Sequence, residues 1–283
     1  MIAITGANGN LGKATLFFLL KAANPSDLVA VVRDPSKMNE LSSSGIQIRQ
    51  GDYENVSSME EAFDGCDTIM QVSSAVYGEQ ADRQEKNVVN AAVNSDVKRI
   101  VYVSTLNPGK EKLFRAAVTC GATENAIADA GLQYSFFRNS MYMETIPLFV
   151  SNALADGKIY YPAGEGRISY ASRIDIAEAL AGELLRKRSG NEMFHITGAE
   201  AAGFDTVAAL LKSEKGLDGE YTNIPDDAFA EVLLDLGMSE EEINFYISMA
   251  QSIKANEFAG VHDDLEKLLG RKRKSLKEFI REL

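Results

Sequence analysis

Two periods of hydrophobic and polar residues alternate along the first 140 residues. Met1–Thr5, Leu28–Arg33, Asp67–Val72 and Arg99–Thr105 are short apolar or β-branched runs, and Ile46–Gln50 alternates with period two. With Gln133–Arg138 they read as six strands. Between them, Leu11–Ala23, Asp82–Ser95 and Ala116–Ala130 carry helical spacing, and Ser36–Leu41 reads as a short helix. Ser57-Ser-Met-Glu60 reads as a capping box that opens another. Strands alternating with helices in this way predict a parallel sheet with helices on both faces.

The rhythm changes after Met141. Ile159–Tyr161 is a short apolar run, and Glu192–Thr197 reads as a further strand. Ser172–Arg188 predicts an amphipathic helix, with Ile174, Ala177, Leu180, Ala181, Leu184 and Leu185 on its apolar face. Arg186, Lys187 and Arg188 stand where the helix dipole favours cations. Asp226–Leu236, Ser239–Glu257 and Ser275–Leu283 read as helices, two of them opened by capping boxes, Ser239…Glu242 and Ser275…Glu278. The expected organisation is a doubly wound parallel sheet over residues 1–150. A smaller helix-rich lobe over 151–283 is expected to return a strand or two to the sheet. The basic run Arg271–Lys274 reads as a solvated segment between two helices.

Composition narrows the function classes. The chain has 283 residues, 45% hydrophobic and 25% charged, which is ordinary for a folded protein and far from a disordered one. With 29 Lys and Arg against 41 Asp and Glu, the net charge of −12 opposes nucleic-acid binding. Cys66 and Cys120 make one pair at most, which suits a reducing compartment. The absence of a leader pattern or a long apolar run predicts a cytoplasmic protein without membrane association. Two cysteines and two distant histidines, His195 and His262, make no metal site.

The sharpest chemistry lies at Thr5-Gly6-Ala7-Asn8-Gly9-Asn10-Leu11-Gly12, directly after a strand and directly before a helix. Gly6 permits a tight turn, Gly9 clears room for a pyrophosphate, and Gly12 lets the helix pack close. The helix N-terminus then offers unpaired N–H groups to the anion. This makes Gly6, Asn8, Gly9, Asn10, Leu11 and Gly12 the candidate dinucleotide cradle of a Rossmann-type fold. The second strand ends at Arg33, where an acidic residue would hold the ribose hydroxyls of NAD. An arginine there suits the 2′-phosphate of NADP, so NADPH is expected to bind better than NADH. A simple ion pair between Arg33 and Asp34 is the alternative.

The Gly-x-x-Gly-x-x-Gly spacing resembles the short-chain dehydrogenase/reductase superfamily, in its extended and atypical members. Further pieces tighten that likeness: Val32-Arg33-Asp34-Pro35, Gly51-Asp52-Tyr53, Ser73-Ser74, Tyr102-Val-Ser104, Ala122-Thr-Glu124, Phe137-Arg138-Asn139 with Tyr142 and Glu144, Asp175-Ile-Ala-Glu178 and Leu269-Gly270-Arg271. Together they resemble the NmrA-like branch, most of all its NAD(P)H:quinone oxidoreductase members, over nearly the whole chain. The resemblance implies NADP(H) lying across the carboxyl ends of the strands, with a substrate cleft between the core and the C-terminal lobe. It implies that Asp52 and Tyr53 lie by the adenine, and that Ser73, Ser74 and Ser104 lie near the ribose and nicotinamide. Asn139 and Tyr142 would belong to the catalytic loop beside the nicotinamide. Asp52 could equally be a turn former, and so could each serine and Asn139; Tyr142 could equally be an amphipathic wall.

Two departures matter. None of the ten tyrosines has a lysine four residues on, so the Tyr-x-x-x-Lys proton relay of many superfamily members is absent. Cys120-Gly121 also stands where the quinone-reductase branch commonly has His-Lys. Lys110 and Lys112 read as surface lysines, and Cys120 as a passive small residue. The implied function is hydride transfer from NADPH to a small, flat quinone or related carbonyl acceptor. A redox sensor that binds the dinucleotide without turnover is the alternative, and a nucleotide-sugar epimerase the third reading. Met141, Met143, Phe149, Phe229 and Phe245 could wall an aromatic ligand, but are better read as core. Substrate identity is not readable here, and a homo-oligomer is left open.

Overall fold

The computed structural model describes residues 1–38, 41, 43–149, 157–186 and 190–283. Its main sheet has seven strands in the order β3-β2-β1-β4-β5-β6-β8. These are β1 (Ile2–Ile4), β2 (Leu28–Val32), β3 (Gln47–Gln50), β4 (Thr68–Val72), β5 (Arg99–Thr105), β6 (Gln133–Asn139) and β8 (Glu192–Ile196). The ladders β3-β2, β2-β1, β1-β4 and β4-β5 are parallel. All five residues of β2 are buried, as are six of seven in β5. Strands buried along nearly their whole length are what helices on both faces of a parallel sheet require. The strand order reverses between β1 and β4, which is where a doubly wound sheet opens a crevice at the carboxyl ends.

The helices that bear on the site are α1 (Asn10–Leu19), α2 (Val56–Phe63), α3 (Gly78–Asn94) and α4 (Arg115–Asp129). Further along come α5 (Ile146–Phe149), α6 (Arg173–Leu185), α7 (Phe204–Lys215), α8 (Asp226–Asp235), α9 (Glu240–Lys254), α10 (Asp264–Leu269) and α11 (Leu276–Glu282). None among the described residues is long and apolar enough to cross a membrane.

The chain forms two compact units whose membership crosses residue 150. The first takes Met1–Ser104, Thr119–Arg138 and Ile176–Phe194; the second takes Thr105–Val118, Asn139–Asp175 and His195–Leu283. In the first, Val29, Val31, Phe63, Ile69, Val88, Ile100, Tyr102 and Phe136 form one core. In the second, a two-stranded parallel sheet, β7 (Lys158–Tyr160) with β9 (Glu220–Thr222), packs beside a core that includes Tyr161, Phe204 and Ile253. Met143 belongs to that core, and Met141, Phe149, Phe229 and Phe245 pack against it.

Several local expectations are corrected. The cap of α2 is Asn55, whose side chain accepts from the Ser58 N–H at 3.1 Å, so the helix opens at Val56 and Ser57-Glu60 is no capping box. Helix α3 starts at Gly78, four residues before Asp82, and α1 stops at Leu19. Pro35–Met38 is a single 3-10 turn, and Asn39, Glu40 and Ser42 lie outside the described residues. Helix α6 ends at Leu185, leaving Arg186 beyond its last turn, while Lys187 and Arg188 lie outside the described residues. Its Ile174 is 53% exposed, because it sits in the first turn before the apolar stripe engages the core.

Helices α7 and α10 and strand β9 are additional elements; left-handed glycines, Gly216 and Gly270, end the two helices. The basic run is not solvated throughout. Arg273 is buried and donates to the carbonyls of Thr197 (2.9 Å) and His262, while Arg271 pairs with Asp175 at 2.8 Å. The two histidines, 67 residues apart in the chain, stack with ring centroids 4.6 Å apart. The capping boxes at Ser239 and Ser275 are both formed.

Candidate functional site

The glycine turn is built by backbone. Gly6 has φ +58°, a left-handed conformation that glycine adopts without strain. The Gly9 N–H closes the turn onto the Gly6 carbonyl at 2.8 Å. A Cβ on Gly12 would lie 2.3 Å from the Gly6 oxygen and 2.9 Å from the Ala7 Cα, so only glycine lets α1 start this close to the turn. Gly9 is the N-cap, no side chain caps the helix, and no acidic residue occupies its first turn. The first-turn N–H groups therefore form an anion-accepting end that no side chain among the described residues caps. The residues present fit a dinucleotide's pyrophosphate.

Arg33 follows β2 on the exposed rim and finds no side-chain partner among the described residues. Asp34 does not take it up. That carboxylate accepts instead from the Ser36 backbone N–H at 3.1 Å and its hydroxyl at 2.6 Å, which hold its pKa below the usual carboxylate value. Among the described residues the Arg33 side chain thus has neither a hydrogen bond nor an ion pair to Asp34. After β3, Asp52 accepts from the Glu54 N–H at 3.0 Å and shapes a turn. Tyr53 turns inward. Its hydroxyl donates to the Val72 carbonyl at 2.8 Å and lies 2.5 Å from the Thr5 hydroxyl, and burial pushes the phenol far above its ordinary pKa. Tyr53 braces β1 against β4 beneath the turn.

At the ends of β4 and β5, side chains take over. The Ser74 N–H donates to Glu85 of α3, and its hydroxyl to Gln84 Oε1 at 2.5 Å. Gln71 donates to the other Glu85 oxygen at 2.7 Å. Burial raises the Glu85 carboxyl to about 7, against the lowering pull of the Ser74 and Gln71 hydrogen bonds. The Ser104 hydroxyl donates to Glu124 Oε1 at 2.7 Å, and Arg138 grips that carboxylate through Nε (3.1 and 3.2 Å) and Nη2 (2.6 Å). Both cysteines are buried thiols outside any disulfide, and the Tyr102 hydroxyl donates to Cys120 Sγ at 3.4 Å. Ser73 sits directly after β4, half-buried.

In the second unit, buried Asn139 donates from Nδ2 to the Tyr142 hydroxyl oxygen at 3.3 Å. Its Oδ1 has no partner among the described residues. Arg173 lies over the Tyr142 ring, 5.4 Å from the centroid. The fold therefore gathers the glycine turn and Tyr53 around the ends of β1 and β4, and puts Asn139 on Tyr142. Arg33 is exposed just after β2, whose Val31 carbonyl accepts from the Ala7 N–H of the turn at 3.4 Å, and Asp52 is half-buried beside Tyr53. Glu85, Gln71 and Arg138 were not among the expected site residues. Glu85 did leave a trace in the sequence, as a carboxylate in the apolar stripe Ala81-Glu85-Val88-Ala92 of a helix.

Residues 6–187 match the family model described as NAD(P)H-binding. The chain belongs to this family. Within it, the chain is 32% identical over 286 residues to quinone oxidoreductase 2 of Escherichia coli K12, covering 100% of this chain and 98% of that one. The crystal structure of the NADPH-dependent quinone oxidoreductase of Escherichia coli complexed with NADPH superposes with TM-score 0.93 at 30% identity, covering 100% and 99% of the two chains. That of the Citrobacter triphenylmethane reductase complexed with NADP(H) superposes with TM-score 0.91 at 28% identity, covering 100% and 99%. The chain is thus an NmrA-like member of the NAD(P)H-dependent oxidoreductases.

Proposed function

We propose that this protein reduces a small quinone or related carbonyl acceptor at the expense of NADPH. The observation that carries the reading is the Asn139–Tyr142 pair, a buried amide with an unspent oxygen bonded to a phenol. Bound NADPH would supply the hydride. The chain's own task is then to orient two flat partners and to stabilise charge on the reduced oxygen. By donating to the Tyr142 hydroxyl, Asn139 fixes the position of the phenol oxygen, and a phenol so placed would face the acceptor's oxygen as a polar group. The missing Tyr-x-x-x-Lys relay fits an acceptor whose reduced form takes its proton from water. A quinone does; a sugar hydroxyl, from which a proton must be removed, does not. The names of the relatives, a quinone oxidoreductase and a triphenylmethane reductase, support flat aromatic acceptors. Arg33, exposed and without a side-chain partner among the described residues, supports NADPH over NADH.

A sensor without turnover is the second reading. Cys120 and Gly121 favour it, since the position that carries a chargeable pair in the quinone-reductase branch holds a buried thiol under Tyr102. The deciding experiment is NADPH oxidation against a quinone panel, with the uncatalysed reaction subtracted. Slow protein-dependent turnover of a simple benzoquinone is expected, lowered in Asn139→Ala and Tyr142→Phe. Tight NADP(H) binding with no protein-dependent oxidation of any acceptor would install the sensor in its place.

A further inference from the structure

Ser104 closes the buried run of β5 and is itself only 4% exposed. It follows Val103, the register partner of Val72, so it stands beside Ser73 at the carboxyl edge of the sheet. Its hydroxyl carries one proton, and that proton is placed by its neighbour. Glu124 Oε1 accepts it at 2.7 Å, while Arg138 holds both oxygens of the same carboxylate in a fork. A carboxylate that receives a guanidinium side-on is an acceptor with no proton to return. Ser104 must therefore donate inward, and only its lone pairs are left for anything beyond Glu124.

We propose that Glu124, held by Arg138, is a positioning residue that fixes Ser104 as a hydrogen-bond acceptor for the nicotinamide half of the nucleotide. The group Ser104 receives is an N–H or O–H donor, from the carboxamide or from a ribose hydroxyl. This rests on the reading above that Ser104 lines that half of the cofactor. It also assigns Ser104 a negative duty: with its proton committed, it does not donate to the acceptor's oxygen.

Calorimetric titration of the full-length protein tests this with two ligands, NADP⁺ and its adenosine bisphosphate half, which lacks the nicotinamide. Ser104→Ala should weaken NADP⁺ about tenfold and leave the half-nucleotide unchanged. Glu124→Ala should weaken NADP⁺ by a similar factor, and that loss should vanish in the Ser104→Ala background, because the two act as one unit. Glu124→Gln keeps a carbonyl acceptor and should restore most of the affinity. Should Glu124→Ala fail to fold, Ser104→Ala with the two ligands decides alone. Unchanged NADP⁺ affinity in Ser104→Ala, an equal loss for the half-nucleotide, or a Glu124→Ala loss that persists without Ser104 would overturn the assignment. An acetylpyridine analogue of NADP⁺ separates the two donors. If the Ser104→Ala loss disappears with it, the donor is the carboxamide; if it persists, the donor is a ribose hydroxyl. A wild-type protein that binds no NADP⁺ would remove the functional reading itself, a different failure.

Discussion

Within the first unit, the turn at Gly6–Gly12 and the ends of β4 and β5 prepare for a ligand in opposite ways. The turn works by subtraction. It lacks Cβ atoms at Gly6, Gly9 and Gly12, a side-chain cap and first-turn carboxylates, and so exposes backbone N–H groups. The strand ends work by addition. Ser74 and Ser104 are each tied to a buried glutamate, and each glutamate has a second partner, Gln71 or Arg138. A site made of backbone depends on seven consecutive residues. A site made of side chains depends on residues that only the fold brings together, and small changes in it are absorbed by rotamers rather than by the chain.

The sharpest way to break this contrast is Gly12→Ala. The added methyl would sit 2.3 Å from a backbone oxygen, where no rotamer can relieve it. Moving the turn should cost about 3 kcal/mol of stability. It should also abolish measurable nucleotide binding, since the N–H groups would no longer converge. Chemical denaturation and calorimetry on the same preparation check both, and near-wild-type values would show that the close approach is not needed.

A second test uses the buried acid at the strand ends. The Glu85 carboxyl is raised from 4.5 to about 7 by desolvation. Its folded pKa lies above its unfolded one, so between these values the folded state binds more protons. Stability should therefore fall as pH rises from about 4.5 to 7, by up to about 3 kcal/mol. Glu85→Gln should flatten that slope and raise stability at pH 8. The amide can still accept from the Ser74 N–H, and Gln71, whose Oε1 is buried without a partner among the described residues, can turn over to accept from it. Urea unfolding across this pH range reads the slope directly; an unchanged slope in the variant would place the titrating group elsewhere.

The same contrast explains what was legible in the sequence. The doubly wound sheet and the strand–turn–helix around the glycines were readable because Gly6 and Gly12 each meet a local backbone demand, β2 is an unbroken apolar run and β5 holds one at its centre. The capping boxes at Ser239 and Ser275 are local too, and both formed. Tyr53 was expected against a ligand, yet its hydroxyl is spent between Thr5 and Val72, 48 and 19 residues away. Arg273 looked solvated, because its acceptors are carbonyls at Thr197 and His262, which no pattern around the basic run announces. Glu124 and Arg138 were visible as pieces of a resemblance but not as partners, since their pairing is made by α4 lying against β6.

The smallest expected effect belongs to a residue that is neither backbone nor network. Arg33 is exposed, carries its charge on a flexible stem and has no protein partner among the described residues to lose. Its removal should leave the fold untouched, and Arg33→Ala should unfold at the wild-type temperature. Its gain comes only with a 2′-phosphate, through charge-assisted hydrogen bonds in water-exposed surroundings, where salt screens the attraction. The wild type should prefer NADPH over NADH by about tenfold, the lower end of what such a contact gives. Arg33→Ala should erase most of that preference by weakening NADPH alone. Raising the salt concentration should shrink the wild-type preference and leave NADH affinity nearly constant. Equal affinities for the two nucleotides in the wild type would remove Arg33 from the site, while the cradle at Gly6–Gly12 would stand unaffected.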